Sequence, residues 1–247
     1  NPAAVLTLGD NVYECGSTTA FAQSFDPSWG RMKPVIHPAI GNHEYNTGSA
    51  NPTFDYFNGI GTDNGPAGKR GQGYYGYDVG KWHIVVLNVN SSFVATSAGS
   101  PQEVWLKTDL AATSQPCVLA IWHHARFFSG TTSPLPAPSG YHLDFWKDLY
   151  AAGADLVVNG HMHVYERYAP QTPTGSLDMT KGLRQLTVGT GGASGETITV
   201  LRRNAEVVNG QTRGVIKLTL DDGRYTWEFL PIAGKTFTGM LTRLILR

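Results

Sequence analysis

Four short apolar runs in this chain end on side chains that can bind a metal. Val5-Leu6-Thr7-Leu8 leads into Gly9-Asp10, and Val35-Ile36-His37-Pro38-Ala39-Ile40 into Gly41-Asn42-His43-Glu44. Cys117-Val118-Leu119-Ala120-Ile121-Trp122 leads into His123-His124, and Ala154-Asp155-Leu156-Val157-Val158 into Asn159-Gly160-His161-Met162-His163. Apolar runs of this length between turn signals read as buried strands. Open α/β sheets gather their sites at the carboxyl ends of such strands. The pattern therefore calls for an α/β sheet whose strand ends deliver Asp10, Asn42, His123 and His161 to one place. His161 and His163 lie one residue apart past a strand end, so both imidazoles can turn toward one point, one to each of two ions. Gly160 removes side-chain bulk where the backbone turns sharply.

Taken singly, these signals are weak. A His-x-His pair arises by chance, and Asp10 would serve equally well as the cap of a turn. The gathering is what carries weight. Five of the eight histidines, His43, His123, His124, His161 and His163, fall in these loops, while His37, His83 and His142 have no such context. Mixed Asp, Asn and His donors suit Zn, Mn or Fe. A structural zinc site would use cysteines. The two cysteines, Cys15 and Cys117, are too few for a disulfide framework, and a bond between them is the less favoured reading.

Between the runs, Thr18 to Lys33 reads as mostly helical, interrupted by Pro27, and residues 46–73 as a long loop with one helical turn at most. Tyr74–Val79 and Trp82–Val89 form a hairpin pattern around Gly80-Lys81. Ser100-Pro101-Gln102-Glu103 is a helix start, and Tyr141–Ala152 an amphipathic helix with His142 on its surface. After about residue 184, the segments 186–188, 197–203, 214–220 and 225–231 read as strands, mostly antiparallel, with Asp221-Asp222-Gly223 as a hairpin turn.

Composition narrows the function. Hydrophobic residues make up 41% and charged residues 15% of the 247, which fits a globular domain rather than a disordered chain. With zero formal net charge there is no basic face for nucleic acid, and no apolar run reaches a membrane span. Neither nucleic acid nor a membrane is an expected partner. Asn1-Pro2-Ala3-Ala4 lead straight into the first strand without a signal-peptide pattern, so the sequence is expected to open inside a folded domain. Low charge with abundant Gly, Thr and aromatic residues points to a secreted or periplasmic protein.

Gly9-Asp10-x-x-Tyr13, Gly41-Asn42-His43-Glu44, Trp122-His123-His124 and Gly160-His161-x-His163, in this order, resemble the blocks of the calcineurin-like metallophosphoesterases. Tyr13, Tyr165-Glu166-Arg167 and Gly189-Thr190-Gly191-Gly192 look more like the purple acid phosphatase branch, in a compact bacterial form. The resemblance implies a single α/β domain over residues 1–247, a four-layer α/β/β/α sandwich of two mixed sheets. It implies Asp10 as a carboxylate bridging two metals, Asn42, His123 and His161 as further ligands of one, and Tyr13 and His163 as ligands of the other. His43 resembles the histidine that contacts phosphate and protonates the leaving group, with Asp10 the second catalytic residue. His123 is the ligand in preference to His124. His124 and Arg126 are candidate phosphate contacts.

The family opens with a further Asp motif on a strand ahead of Asp10, and no residues here supply it. The domain is thus expected to be N-terminally incomplete relative to the family, without that first strand. The metal at His163 is then short of an aspartate, unless Glu14 or Glu44 leans inward or the apolar tail Met240–Arg247 contributes a strand or a contact to another chain. One metal ion (Zn, Fe or Mn) has its protein ligands complete, and a second can be accommodated. The expected function is metal-dependent hydrolysis of a small phosphate ester, foremost a monoester. Phosphodiesterase or nucleotide pyrophosphatase action, and a weakly active metal- or phosphate-binding variant, are the alternatives.

Overall fold

All four apolar runs become strands, and both faces of the longest are buried. The computed structural model describes residues 2–138, 140–239 and 241–244. Its strands are β1 (Val5–Leu8), β2 (Ile36–Ala39), β3 (Tyr75–Val79), β4 (Trp82–Val86), β5 (Cys117–Trp122) and β6 (Leu156–Asn159). They continue with β7 (Tyr165–Tyr168), β8 (Arg184–Val188), β9 (Ala205–Asn209), β10 (Gly214–Asp221), β11 (Arg224–Pro231) and β12 (Leu241–Leu244). A mixed seven-stranded sheet has the order β3-β4-β5-β6-β8-β7-β9, with β4, β5, β6 and β8 mutually parallel.

Alternation along β5 explains the layering. Val118, Ala120 and Trp122 pack with Leu106 of helix α3 (Pro101–Ala112) and with Phe145, Trp146 and Leu149 of helix α4 (Leu143–Ala151). Cys117, Leu119 and Ile121 point the other way, into a core shared with Leu6 and Leu8 of β1, Ala39 of β2, and Tyr225 and Trp227 of β11. Beyond β1 and β2, Ile36 and Ile40 meet Phe21, Phe25, Phe54 and Phe57. Phe21 and Phe25 come from the π-helical turn that continues a helical turn α1 (Thr18–Ala20), and Phe54 and Phe57 from helix α2 (Asn51–Asn58). The four-layer α/β/β/α arrangement is thus present. Among the described residues, the second sheet layer is built of two pieces, the parallel pair β1–β2 and the antiparallel β10–β11–β12.

Several segments differ from expectation. Helix α2 runs for two turns inside the stretch read as loop, because Pro52 sits in its first turn and Phe54 and Phe57 find the core. Thr197–Arg203 is no strand. Val200 alone bridges to Gly130, while the Arg202 amide and guanidinium are held by Ser129 and Phe128. The edge strand there is β9, paired with β7. Leu241–Leu244 of the apolar tail form β12 on β11 of the same chain, and the rest of the tail lies outside the described residues. Cys15 is a free thiol and Cys117 is buried in β5, so the two are not bonded.

One buried carboxylate positions the ends of β1 and β2. Glu44 is fully buried. Its Oε2 accepts the amides of Asp10 (2.9 Å) and Gly41 (2.7 Å), and its Oε1 accepts the amide of Asn11 at 2.6 Å. Glu44 therefore does not lean inward as a ligand. It faces backbone, because the loops' N–H groups would otherwise be buried without acceptors. Burial pushes its pKa up, and the charge of Asp10 adds to this. All its partners are donors, so the ionised form is the one the surroundings satisfy.

On the far side, His83 bridges β3, β4 and α3. Its Nδ1 meets Asp78 (2.7 Å) and its Nε2 meets Asp109 (2.8 Å). The Asp109 hydrogen bond, against the opposing effect of burial and with help from Asp78, raises the His83 pKa above 6.5.

Two outcomes follow. Replacing Glu44 by Gln sets an NH2 group against backbone N–H donors and should lower unfolding free energy by about 2–3 kcal/mol, read by denaturant titration; unchanged stability would remove Glu44 as the organiser. The stabilisation from His83 is fully present below pH 6.5 and is lost as pH rises through its raised folded value. The Tm gap between wild type and His83→Gln should therefore narrow steadily from pH 6 to pH 9, and a widening gap would contradict the imidazolium clamp.

Candidate metal centre

Three glycines make room for the site. A Cβ on Gly9 would lie 2.6 Å from His123 Nδ1, one on Gly160 would lie 2.8 Å from the Leu8 carbonyl, and one on Gly41 would overlap the Asp10 carboxylate. Side-chain donors from four strand ends can approach only because these three positions carry none. Asp10 and His161 both have left-handed backbone, with φ of 51° and 64°. For residues other than glycine, this conformation costs on the order of 1 kcal/mol. Non-glycine residues in such conformations cluster at functional sites.

Four donors meet at His123 Nε2. Asp10 Oδ2 lies at 3.1 Å, Asn42 Oδ1 at 3.1 Å and His161 Nδ1 at 3.2 Å. The opposite nitrogen, His123 Nδ1, donates to the Leu8 carbonyl at 2.7 Å. That bond fixes the tautomer and turns Nε2 toward the cluster. Asp10 Oδ1 is held by the His43 amide at 2.9 Å. Burial alone would raise the Asp10 carboxyl; the hydrogen bond and charge of His123 outweigh it and bring it to about 2. His161 is held down at about 4 by burial and by the charge of His123.

This arrangement calls for positive charge at its centre. With the His123 proton on Nδ1, all four atoms bear lone pairs turned toward one another. A single proton on His123 Nε2 can serve one contact at a time, whereas a cation serves all of them. The mixed N and O donor set fits a borderline ion such as Zn, Mn or Fe. The residues therefore fit a bound metal.

A second group adjoins the first. Tyr13 Oη lies 3.4 Å from Asp10 Oδ2 and 3.3 Å from His163 Nε2. His163 Nδ1 is committed to the Ser194 carbonyl at 3.0 Å, so here too Nε2 faces the site. Burial, followed by the charge of Asp10, pushes the Tyr13 phenol above its ordinary value. Glu196 accepts the His163 amide at 2.8 Å, but its carboxylate stands on the Nδ1 side, 3.9 Å away. Together Asp10, Tyr13 and His163 make a second, sparser donor set that shares Asp10 with the first.

The remaining candidates divide. His43 packs its ring 4.6 Å from that of Tyr13, and its Nδ1 is bound to the Glu14 carbonyl at 2.6 Å. His124 lies beside the cluster, its ring centroid 4.1 Å from that of His161. His123, His124 and His161 each offer a nitrogen within 4.8 Å of the others. Burial and the charges of His123 and His161 hold His124 neutral, down to about 2. Arg126 is not brought to this cluster. It is buried, and its Nε and Nη2 both donate to the Pro173 carbonyl, at 3.1 and 2.7 Å.

Sequence reasoning missed the cleft beside the metal centre. It has a volume of about 670 Å³ and is lined by His124, His161, Tyr45, Phe93 and Phe128, among others. His142 belongs to it as well. Expected on a helix surface, it is 3% exposed, because the turn Gly140–His142 ahead of α4 tucks it against Trp122 and His124. Burial and the charge of Arg126 keep it neutral, down to about 3. The signal that could have marked this wall was Asn88-Val89-Asn90, polar side chains at one more strand end.

The chain is similar in sequence and in fold to known proteins. The chain is 27% identical over 195 residues to purple acid phosphatase 15 of Arabidopsis thaliana, covering 68% of this chain and 36% of that protein. In fold it is similar to the purple acid phosphatase PPD1 of yellow lupin seeds, with a TM-score of 0.72 at 20% identity over 98% of this chain and 46% of that one. It is also similar in fold to GAP50, the anchor in the inner membrane complex of Plasmodium, with a TM-score of 0.69 at 14% identity over 99% of this chain and 79% of that one. The chain thus spans little more than a third of its Arabidopsis relative. The model for the calcineurin-like phosphoesterases matches residues 1–165, and the chain belongs to that family.

Proposed function

We propose that this chain is a metal-dependent hydrolase of phosphate esters, acting foremost on small monoesters. The observation that carries this reading is the convergence of Asp10, Asn42 and His161 on His123 Nε2, with Nδ1 locked to the Leu8 carbonyl. Asp10, Asn42, His123 and His161 would hold one ion, and Asp10, Tyr13 and His163 a second. A bound Zn, Fe or Mn ion supplies Lewis acidity for phosphoryl oxygens and lowers the pKa of water.

The chain's own residues supply the rest. Asp10 stays ionised across the physiological range, because its pKa lies at about 2. His123 and His163 are oriented by backbone carbonyls, so neither ring has to be ordered when a ligand arrives. His43 binds the Glu14 carbonyl through Nδ1, which leaves Nε2 to carry a proton to a departing alkoxide. His124 and His142, held neutral at the cleft wall, offer hydrogen bonds to phosphate oxygens without adding charge. Arg126 is left out of the phosphate contacts, since its guanidinium is engaged by Pro173.

The reading extends to setting. An exported or periplasmic location suits the low charge of the chain. Among the described residues, no helix is long and apolar enough to cross a membrane.

Hydrolysis of p-nitrophenyl phosphate should disappear on chelation and return with Zn, Mn or Fe salts. Asn42→Ala, His123→Ala and His161→Ala should each cost more than the roughly 10- to 100-fold typical of outer-shell changes. Full activity in any of the three refutes its role as a ligand. Faster turnover of bis-p-nitrophenyl phosphate than of the monoester would move the reading to a diesterase. Bound metal without hydrolysis of either would leave a binding protein.

A further inference from the structure

We propose that the cleft selects phosphate esters carrying a planar aromatic group on the alcohol side, with Phe93 as the stacking platform. This rests on the phosphoesterase reading and adds a substrate class to it. The cleft of about 670 Å³ is larger than a phosphate group needs and is of a size that takes a drug-like molecule. Its lining changes character with position. His124 and His161 are shared with the metal centre, while Phe93, Val89, Phe128 and Met162 give apolar wall.

Phe93 is the feature that sets the chemistry. It is 52% exposed, yet it is braced. Its ring stacks on Tyr45 with centroids 4.1 Å apart and planes 15° from parallel. Tyr45 is buried, and its hydroxyl accepts from Asn88 Nδ2 at 2.8 Å. Asn88 is itself fully buried and tied to the Gln72 carbonyl at 2.8 Å and to Gln102 Oε1 at 2.8 Å. Asn90 Nδ2 donates to the Ile40 carbonyl at 3.1 Å, two residues ahead of Asn42. The loop bearing Phe93 is thereby registered against the strand end bearing Asn42. One ring face is used by Tyr45, and the other remains for a ligand in the cleft. A flat π-face held in a fixed orientation favours offset stacking with another planar ring at little ordering cost. An aliphatic alcohol gains much less from it.

The test compares 1-naphthyl phosphate, adenosine 5′-monophosphate and glycerol 2-phosphate as substrates of the metal-loaded protein. In parallel it compares binding of 1-naphthylphosphonate and methylphosphonate, which cannot be hydrolysed. Phe93→Ala should lower kcat/KM for the naphthyl ester, the nucleotide or both by about five-fold, mainly through KM. Glycerol 2-phosphate should be unaffected, and Phe93→Trp should restore the aromatic preference. The two aromatic arms separate an aryl ester from a ring carried on a sugar. An equal effect on all three substrates, or no effect on any, overturns the platform. If no ester is hydrolysed but naphthylphosphonate binds better than methylphosphonate and Phe93→Ala erases the difference, the platform stands and the phosphoesterase reading falls. If esters are hydrolysed and neither assay shows an aromatic preference, the reading stands and the platform falls.

Discussion

The carboxylate of Glu44 accepts backbone N–H groups from both sides of the site, from Asp10 and Asn11 after β1 and from Gly41 after β2. Much else depends on that bond pattern. β1 and β2 are only four residues each, and their ladder alone cannot fix the loops that follow. With Glu44 in place, Asp10 takes its left-handed turn, its Oδ1 receives the His43 amide, and its Oδ2 points at His123. A buried charge is costly unless fully hydrogen-bonded. Here the cost is met by donors that the loops must satisfy anyway.

The imidazoles follow the same logic one layer further in. Two of the metal-facing nitrogens are defined by what the opposite nitrogen binds: the Leu8 carbonyl for His123, the Ser194 carbonyl for His163. The Leu8 contact is close only because Gly9 and Gly160 carry no side chain there. Glycine spacing, strand-end geometry and tautomer choice are therefore one constraint. It yields a dense donor set around His123 and a sparser one around Tyr13 and His163. The difference in density is a property of the folded chain, independent of any resemblance.

The strands and the cluster were largely legible. Apolar runs such as Cys117–Trp122 have few alternatives to a buried strand, and the polar residues that end them cannot enter the core, so they collect at its edge. What stayed illegible depends on packing between distant segments. Glu44 looks like any loop carboxylate until Asp10, 34 residues earlier, is seen to need an acceptor. His142 has the pattern of a helix-surface residue, but the turn ahead of α4 buries it. Arg126 is two residues from the His123-His124 pair, and sequence proximity suggested a phosphate contact; the backbone aims it at Pro173 instead. Phe93 sits in a loop with no periodicity, and only its stacking on Tyr45 gives it meaning.

Anomalous diffraction from crystals grown with Mn or Zn tests the central claim most directly, because it locates the ion without reference to activity. The account predicts a strong peak bounded by Asp10, Asn42, His123 and His161, and any second, weaker peak between Asp10, Tyr13 and His163. A principal peak held by His124 without Asp10 and Asn42, or no peak at this cluster in metal-saturated crystals, would contradict it.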